Sequence, residues 1–359
     1  MANLSVSVAL ATYNGARHLP DQLADLSAQT CMPSEVVVCD DASSDETLSI
    51  VDEFAASAPF PVRVHRNPVR LGYRENFVRC AARCRSDLIA FCDQDDRWPR
   101  NKLRAAADCF DDPSVLLVFH NARVVGADGR TIATLYPPSM PAKRWEPGSG
   151  PPWSFSPGFT QVFRRSLLEF DDLWQLSQDE NADGERLAHD RWYFFLASVL
   201  GTVQYLPECL ADYRQHGQNT YGWRLFAPSL QARVLDRVND AGRTIARRGR
   251  AAESRATVLR HVAASMSEPA KGRALAGEDA YRRLAERCSL RSEIYESGTL
   301  VERARAFRKL MRAGAYGSHP WQFGPFGEAM DGLIGVTGLH RMFGKRIAAG
   351  AKHDSGNIG

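Results

Sequence analysis

Three aspartates in four residues, Asp93-Gln94-Asp95-Asp96, stand directly after the apolar run LIAFC. Carboxylates this close repel one another unless a positive charge sits between them. A hard divalent cation is the usual remedy, and Mg2+ typically takes one or two carboxylates together with substrate phosphates. Three further polar clusters adjoin apolar runs: Thr12-Tyr13-Asn14-Gly15 after SVSVALA, Asp40-Asp41-Ala42-Ser43 after EVVVC, and His189-Asp190 just before WYFFLASVL. Singly, each has a plain explanation. DDAS suits an Asx-turn leading into a helix cap, HD a solvated helix start, and DQDD a charged surface turn. Gathered at one sheet edge, they point instead to a shared site built on carboxylates and a cation.

Such clusters need a scaffold that delivers them to one edge, and the first 125 residues have its pattern. Strands are expected at Ser5–Ala11, Glu35–Cys39, Val62–His65, Leu88–Cys92 and Val115–Val125. Between them, His18–Gln29 carries Leu19, Leu23 and Leu26 on one face. A second helix is capped by Ser43/Ser44 and runs to about Ala56, with Leu48, Val51 and Phe54 inward. A third spans Glu75–Ala82, and Pro99 opens a fourth at its first position. Asp128-Gly129 signals a hairpin. Repeated strand–helix units predict an α/β fold with a parallel sheet, whose ligands lie off the carboxyl ends of the strands. A proline-rich loop over 137–158 carries Trp145, Trp153 and Phe155 and suits a docked, substrate-facing role. A helix from about Arg165, a buried helix over 191–200 and a strand at Gly201–Leu206 follow; beyond Trp223 the pattern is helical.

The 359 residues are 44% hydrophobic and 24% charged, which excludes a disordered or collagen-like chain. The longest apolar stretch, Trp192–Val203, is too short for a membrane span, and no secretory signal is visible after Met1. The eight scattered cysteines form no zinc-ligand spacing and fit a reduced, cytoplasmic chain. Net charge is +3, yet residues 223–359 hold 24 Lys/Arg against 13 Asp/Glu, and the preceding residues carry the acidic excess. Nucleic acid is not an expected partner, because the basic tail lacks a clustered aromatic and basic motif.

In this order, ALATYNGARHL, VVVCDDASSDET, RLGYRENF, IAFCDQDDRWPRNKL, HDRWYFF and YRQHGQNTYG resemble the inverting family 2 glycosyltransferases, and among them the bacterial rhamnosyltransferase-like members. The resemblance covers roughly residues 5–222. It implies a GT-A fold over 1–222, with a Rossmann-like nucleotide half at about 1–125 and an acceptor half at about 126–222 on one mostly parallel sheet. A basic, mainly helical region would follow over 223–359. By the same resemblance Thr12, Tyr13 and Asn14 line the nucleotide base pocket and Asp41 accepts from the pyrimidine. Asp93 and Asp95 bind the donor, Asp96 coordinates Mg2+ or Mn2+, and His216 adds a metal or phosphate contact. Tyr213, Arg214 and Asn219 shape that rim, and Asp190 is the catalytic base. Gly158 and Thr160 stand where the acceptor meets the fold.

Residue chemistry supplies further candidates. Arg66 and Arg70 flank a turn and could hold a pyrophosphate, or simply face solvent. Trp192 could be an acceptor platform or core packing; Trp98 could stack near the donor or close the helix at Pro99. The expected activity is metal-dependent inverting transfer from a dTDP- or UDP-sugar, such as dTDP-rhamnose, to a glycan or lipid-linked hydroxyl. The alternatives are a nucleotidyltransferase, or an inactive membrane-associated scaffold on the same fold. Peripheral contact with the inner membrane face through the basic tail is a further expectation, with Phe326, Met330, Leu333, Ile334, Leu339, Met342, Phe343 and Ile347 as its apolar face. A homo-oligomer is left open.

Overall fold

The computed structural model describes residues 4–215 and 230–339, the side chains of 230–241 excepted. His216, Asn219, Met342, Phe343 and Ile347 lie outside the described residues. One compact unit comprises Met1–Gln175, Arg186–Leu225 and Glu268–Arg273; the other comprises Leu176–Glu185, Phe226–Ser267 and Ala274–Gly359.

In the first unit, β1 (Val6–Thr12), β2 (Glu35–Asp40), β3 (Val62–Arg66) and β4 (Leu88–Asp93) run parallel in the spatial order β3-β2-β1-β4. Every residue of β1 and β2 is buried, so both strands are apolar without alternation. Three helices provide the crossovers: α1 (Leu19–Ser27), α2 (Thr47–Ser57) and α3 (Tyr73–Ala81). The leucine stripe of α1 is buried as its spacing predicts. After α4 (Lys102–Ala107) the sheet extends through β5 (Val115–Val125), β6 (Thr131–Thr134), β7 (Lys143–Trp145), β8 (Gln161–Arg164) and β9 (Thr202–Arg214). β8 inserts antiparallel between β4 and β5, β9 runs parallel to β5, and β7 and β6 pair antiparallel with β9 and β5. The sheet is therefore parallel in its first half and mixed in its second. Leu10, Leu23, Val38, Phe110, Val118 and Val162 share one core cluster across both halves.

Several boundaries differ from expectation. Ser43 does not cap α2; its hydroxyl donates to Asp40 and accepts from the Asn14 amide, and the helix starts at Thr47. Pro99 does not open α4: its carbonyl takes the Lys102 amide at 3.1 Å and the Gln29 side chain at 2.9 Å, fixing a turn before the helix. Arg165–Leu176 forms 3₁₀ turns, not an α-helix. The last strand runs on to Arg214 because it follows β5 nearly end to end.

The second unit is helical: α6 (Leu230–Ser265), α7 (Ala270–Glu296, entering from the first unit), α8 (Leu300–Arg312) and α9 (Gly324–Met330), then a π-helical segment over Asp331–Val336. Thr299 and Glu302 form a reciprocal capping box at the start of α8. Inside this unit Arg291 grips the buried Asp331 through Nε at 2.6 Å and Nη2 at 3.0 Å, and the Tyr295 and Tyr316 hydroxyls donate to the same carboxylate at 2.6 Å. Met330 is buried and so cannot belong to an exposed apolar face.

Candidate active site

The tips of β1 and β2 are tied together before they can bind anything. Thr12 Oγ1 donates to Asp40 Oδ1 at 3.0 Å, and the Asn14 amide donates to Ser43 Oγ at 2.9 Å. Asn14 itself turns left-handed (φ 47°) and accepts the Ser44 amide at 2.9 Å. This is a conformation that asparagine tolerates better than most residues. Gln94 fastens the β4 cluster to the same corner, accepting from the Tyr13 amide at 2.9 Å and donating to the Tyr13 carbonyl at 3.0 Å. Beneath that amide a Cβ on Gly15 would stand 2.1 Å from Gln94 Oε1, so any side chain there would displace the Gln94 amide from Tyr13.

Asp41 is buried and accepts from Asn67 Nδ2 (3.0 Å) and from the Leu71 and Gly72 amides (2.7 and 2.8 Å). A carboxylate offers about four acceptor positions, so Asp41 shapes the 67–72 loop and keeps capacity for one further donor. That loop carries Arg70, whose guanidinium lies 3.9 Å above the Tyr13 ring. Arg66 reaches the Ser43 carbonyl at 3.5 Å.

At the end of β4 charge is crowded and only partly balanced. Burial, then Asp95 and Asp190, push the Asp93 carboxyl up to about 7. Asp96 is buried, its Oδ2 has no hydrogen-bond partner, and burial followed by Asp93 and Asp95 drive it well above the usual carboxylate range. Opposing them is Lys102, fully buried. Its ammonium donates to the Phe159 carbonyl at 2.6 Å, sits 3.5 Å from the Trp98 ring centre, and is pushed down to about 7 by burial. Trp98 therefore packs on this lysine. Tyr213 stacks on Phe159 at 5.2 Å and feels the same carboxylates. Arg214 reaches back to Asp21 at 2.6 Å.

Asp190 enters from the first turn of α5 (His189–Leu200), and its charge is felt by both Asp93 and Tyr136. Gln161 of β8 fixes its backbone, donating to the Asp190 carbonyl at 3.0 Å and to the Ser156 carbonyl at 2.7 Å. His189 faces the other way. It is buried, stacked on Phe77 at 4.0 Å and edge-on to Phe91, and burial holds it down to about 3. Gly158 exists for that ring: a Cβ there would lie 2.5 Å from His189 Nε2. Two acceptor candidates are corrected. Thr160 is buried with its hydroxyl on the Pro157 carbonyl (2.7 Å), and Trp192 is a core residue whose Nε1 donates to Asp171 (3.2 Å). In the proline-rich loop Trp145 packs on Phe119 at 5.9 Å, while Phe155 is exposed under the Arg191 guanidinium at 3.8 Å.

Residues 7–170 match the family described as glycosyl transferase family 2. Over this segment the chain is similar to the family 2 glycosyltransferases. Among curated relatives, an uncharacterized glycosyltransferase of Nostoc sp. is 26% identical over 225 residues, covering 61% of this chain and 67% of its own. The dTDP-rhamnosyl transferase RfbG of Shigella flexneri is 28% identical over 226 residues, covering 59% and 73%. The S. aureus TarS 1-349 structure in complex with UDP-GlcNAc superposes with a TM-score of 0.50 at 17% identity, covering 86% of this chain and 81% of that one. That likeness shows the GT-A fold. The alternative of a nucleotidyltransferase gains nothing from these matches.

Within the transferase domain, Gln94, Lys102 and Gln161 were not anticipated. Lys102 left one trace, a lysine beside Leu103 and Ala106 on the inward face of a short helix. Gln94 and Gln161 left none, since each acts by bonding backbone that is remote in sequence. Among the described residues no three His, Cys, Asp or Glu side chains gather as a ready-made metal cage.

Proposed function

We propose that this chain is a metal-dependent inverting glycosyltransferase that moves a sugar from a dTDP- or UDP-sugar to a hydroxyl of a cell-surface glycan or lipid-linked acceptor. The observation that supports the proposal is the crowding of carboxylates at the end of β4, where Asp93 and Asp95 act on the buried Asp96, whose Oδ2 has no hydrogen-bond partner, and the buried Lys102 lies opposite. The hard, unbonded Asp96 Oδ2 fits Mg2+ or Mn2+, with Asp96 as protein ligand and His216 as a further contact. Mg2+ characteristically takes few protein ligands and completes its shell with phosphate and water. Bound there, the cation would offset charge developing on the departing diphosphate.

The chain's own residues do the rest. Thr12, Tyr13 and Asn14 border the base, with Asp41 closing its pocket. Asp93 and Asp95 hold the donor's sugar and ribose side, and Arg70 supplies positive charge at the rim. Asp190 takes the acceptor hydroxyl proton as that oxygen attacks the anomeric carbon. The carbon–oxygen bond to the nucleoside diphosphate breaks on the opposite face, so configuration inverts. Gly158 keeps the acceptor side open by letting His189 pack behind it. A dTDP-rhamnose donor is favoured by the likeness to RfbG. We read the basic carboxyl-terminal region as a peripheral contact with the inner face of the cell membrane.

A panel of nucleotide sugars, each assayed for binding and donor hydrolysis with Mg2+, Mn2+ or EDTA, tests this. One donor should bind in metal and be released by EDTA. Equal affinity in EDTA would remove the metal from the mechanism, and no binding of any nucleotide sugar would remove the function.

A further inference from the structure

Among the described residues the second unit carries an unusual share of the exposed large hydrophobics: Leu275, Leu300, Val301, Met311, Phe326, Leu333 and Leu339. Three of them belong to α8. That helix buries Arg303, Ala306 and Leu310, which fixes its inward face. At 100° per residue, the opposite face is centred on Val301, Arg305, Arg308 and Arg312, all exposed. Lys309 flanks this stripe on one side. Leu300, Phe307 and Met311 flank it on the other, with Leu300 57% and Met311 43% exposed.

The acidic side of this surface is empty by sequence. Glu302 is the one acid of α8, and its carboxylate is held in the capping box by the Thr299 amide. The apolar flank does not stop at the helix edge. Phe307 lies against Gly332, where a Cβ would be 3.6 Å from the ring, and the neighbouring Leu333 is 67% exposed. Arg303 binds the Val336 carbonyl at 2.9 Å and the Gly298 carbonyl at 3.0 Å, so the segment bearing Leu333 is fastened to α8. Cations thus run along one strip and aliphatic side chains along the next, on one rigid support.

We infer that this face of α8, together with Leu333, is the surface by which the chain lies on an anionic lipid bilayer. The inference rests on the membrane contact proposed above and names where it is made. Exposed arginines that outnumber the single acid of the helix, Glu302, match a negatively charged headgroup layer, each contributing at close range. The adjacent aliphatic strip can enter the headgroup–acyl boundary, as interfacial amphipathic helices do. A protein partner would be expected to meet a compact apolar patch with a polar rim; here polarity and apolarity are divided lengthwise.

Flotation of the full chain with vesicles of phosphatidylcholine alone, or mixed with phosphatidylglycerol, tests the assignment. Wild type should float only with the anionic vesicles and be released by high salt. Arg305→Gln, Arg308→Gln and Arg312→Gln should each lower partitioning by about fivefold, and the triple variant should stay at the bottom. The triple Arg→Lys variant should still float, which separates charge from misfolding. Met311→Ala with Leu333→Ala should weaken flotation with the anionic vesicles at low salt and lower the salt concentration that releases the protein. If wild type floats and the triple Gln variant floats equally, this surface is wrong while membrane contact survives. If wild type never floats, both fail. If light scattering shows a dimer that the triple Gln variant dissolves without any vesicle binding, the face belongs to a second copy and the lipid assignment falls.

Discussion

Two regions of this chain bury carboxylates, and they treat them oppositely. In the helical unit Asp331 receives four donors, two from Arg291 and one each from Tyr295 and Tyr316. At the end of β4, Asp96 is equally buried, yet one of its oxygens is unbonded and its nearest charged neighbours include Asp93 and Asp95. Burial of charge is costly in both places. In the first it is offset within the fold, so the cluster is structural. In the second it is only partly offset, by Lys102 and a backbone amide, and the proposed cation would supply the rest.

The largest effect should come from the carboxylate proposed to act on substrate, Asp190. Asp190→Asn keeps the size of the side chain but cannot accept a proton, so transfer should fall by about 10²–10⁴-fold. Nucleotide affinity, measured by calorimetry in Mn2+, should stay near wild type. Turnover close to wild type in a folded variant would end the role of Asp190 as base, and lost donor binding would move it to the donor side.

The contrast between the two buried carboxylates is tested directly by removing each. Asp331→Ala leaves Arg291 buried without its counter-charge and should destabilise by roughly 3–5 kcal/mol. Asp96→Ala relieves repulsion in the metal-free protein, so its melting temperature should not fall, while metal-dependent nucleotide binding disappears. Should Asp96→Ala unfold the protein as readily as Asp331→Ala, the β4 cluster would be structural after all.

How far the sequence foretold this site depended on which bonds are local. β1, β2 and β4 announced themselves because burial on both faces demands continuous apolar runs, and the polar residues at their ends marked the edge. The leucine stripe of α1 was equally plain. The Asp128-Gly129 hairpin announced β6, which pairs antiparallel with β5; β7 and β8 were not legible, since each is only three or four residues long and owes its pairing to β9, or to β4 and β5. Ser43 shows the limit most clearly. Its position before a helix suggested a cap, but a carboxylate three residues back and an amide 29 residues away claimed its hydroxyl.

A smaller loss should follow from tightening the corner where β1 and β4 meet. Gly15→Ala would drive a methyl into the Gln94 amide and loosen both of its bonds to Tyr13. Overpacking of this kind costs about 1–3 kcal/mol. Because Gln94 holds the corner proposed to border the nucleotide base, KM for the donor should rise more than kcat falls. The reverse pattern would place Gln94 outside donor binding.

The mildest test uses pH to separate His189 from its neighbour Asp190. Burial holds the His189 imidazole down to about 3, against an ordinary value of 6.5. Between those limits the unfolded chain binds a proton that the native state refuses, so stability contributed by the neutral ring is complete above 6.5 and is lost as pH falls. Each unit below 6.5 should remove roughly 1.4 kcal/mol from this source. His189→Gln lacks the titrating ring. Its stability deficit relative to wild type should therefore be greatest near neutrality and narrow steadily toward pH 4, as read from denaturant midpoints. Its rate loss at neutral pH should also be far smaller than that of Asp190→Asn, because the imidazole is buried against Phe77 and Phe91. A deficit that stays constant with pH would mean that His189 is protonated in the folded protein, and the division of labour between these adjacent residues would have to be redrawn.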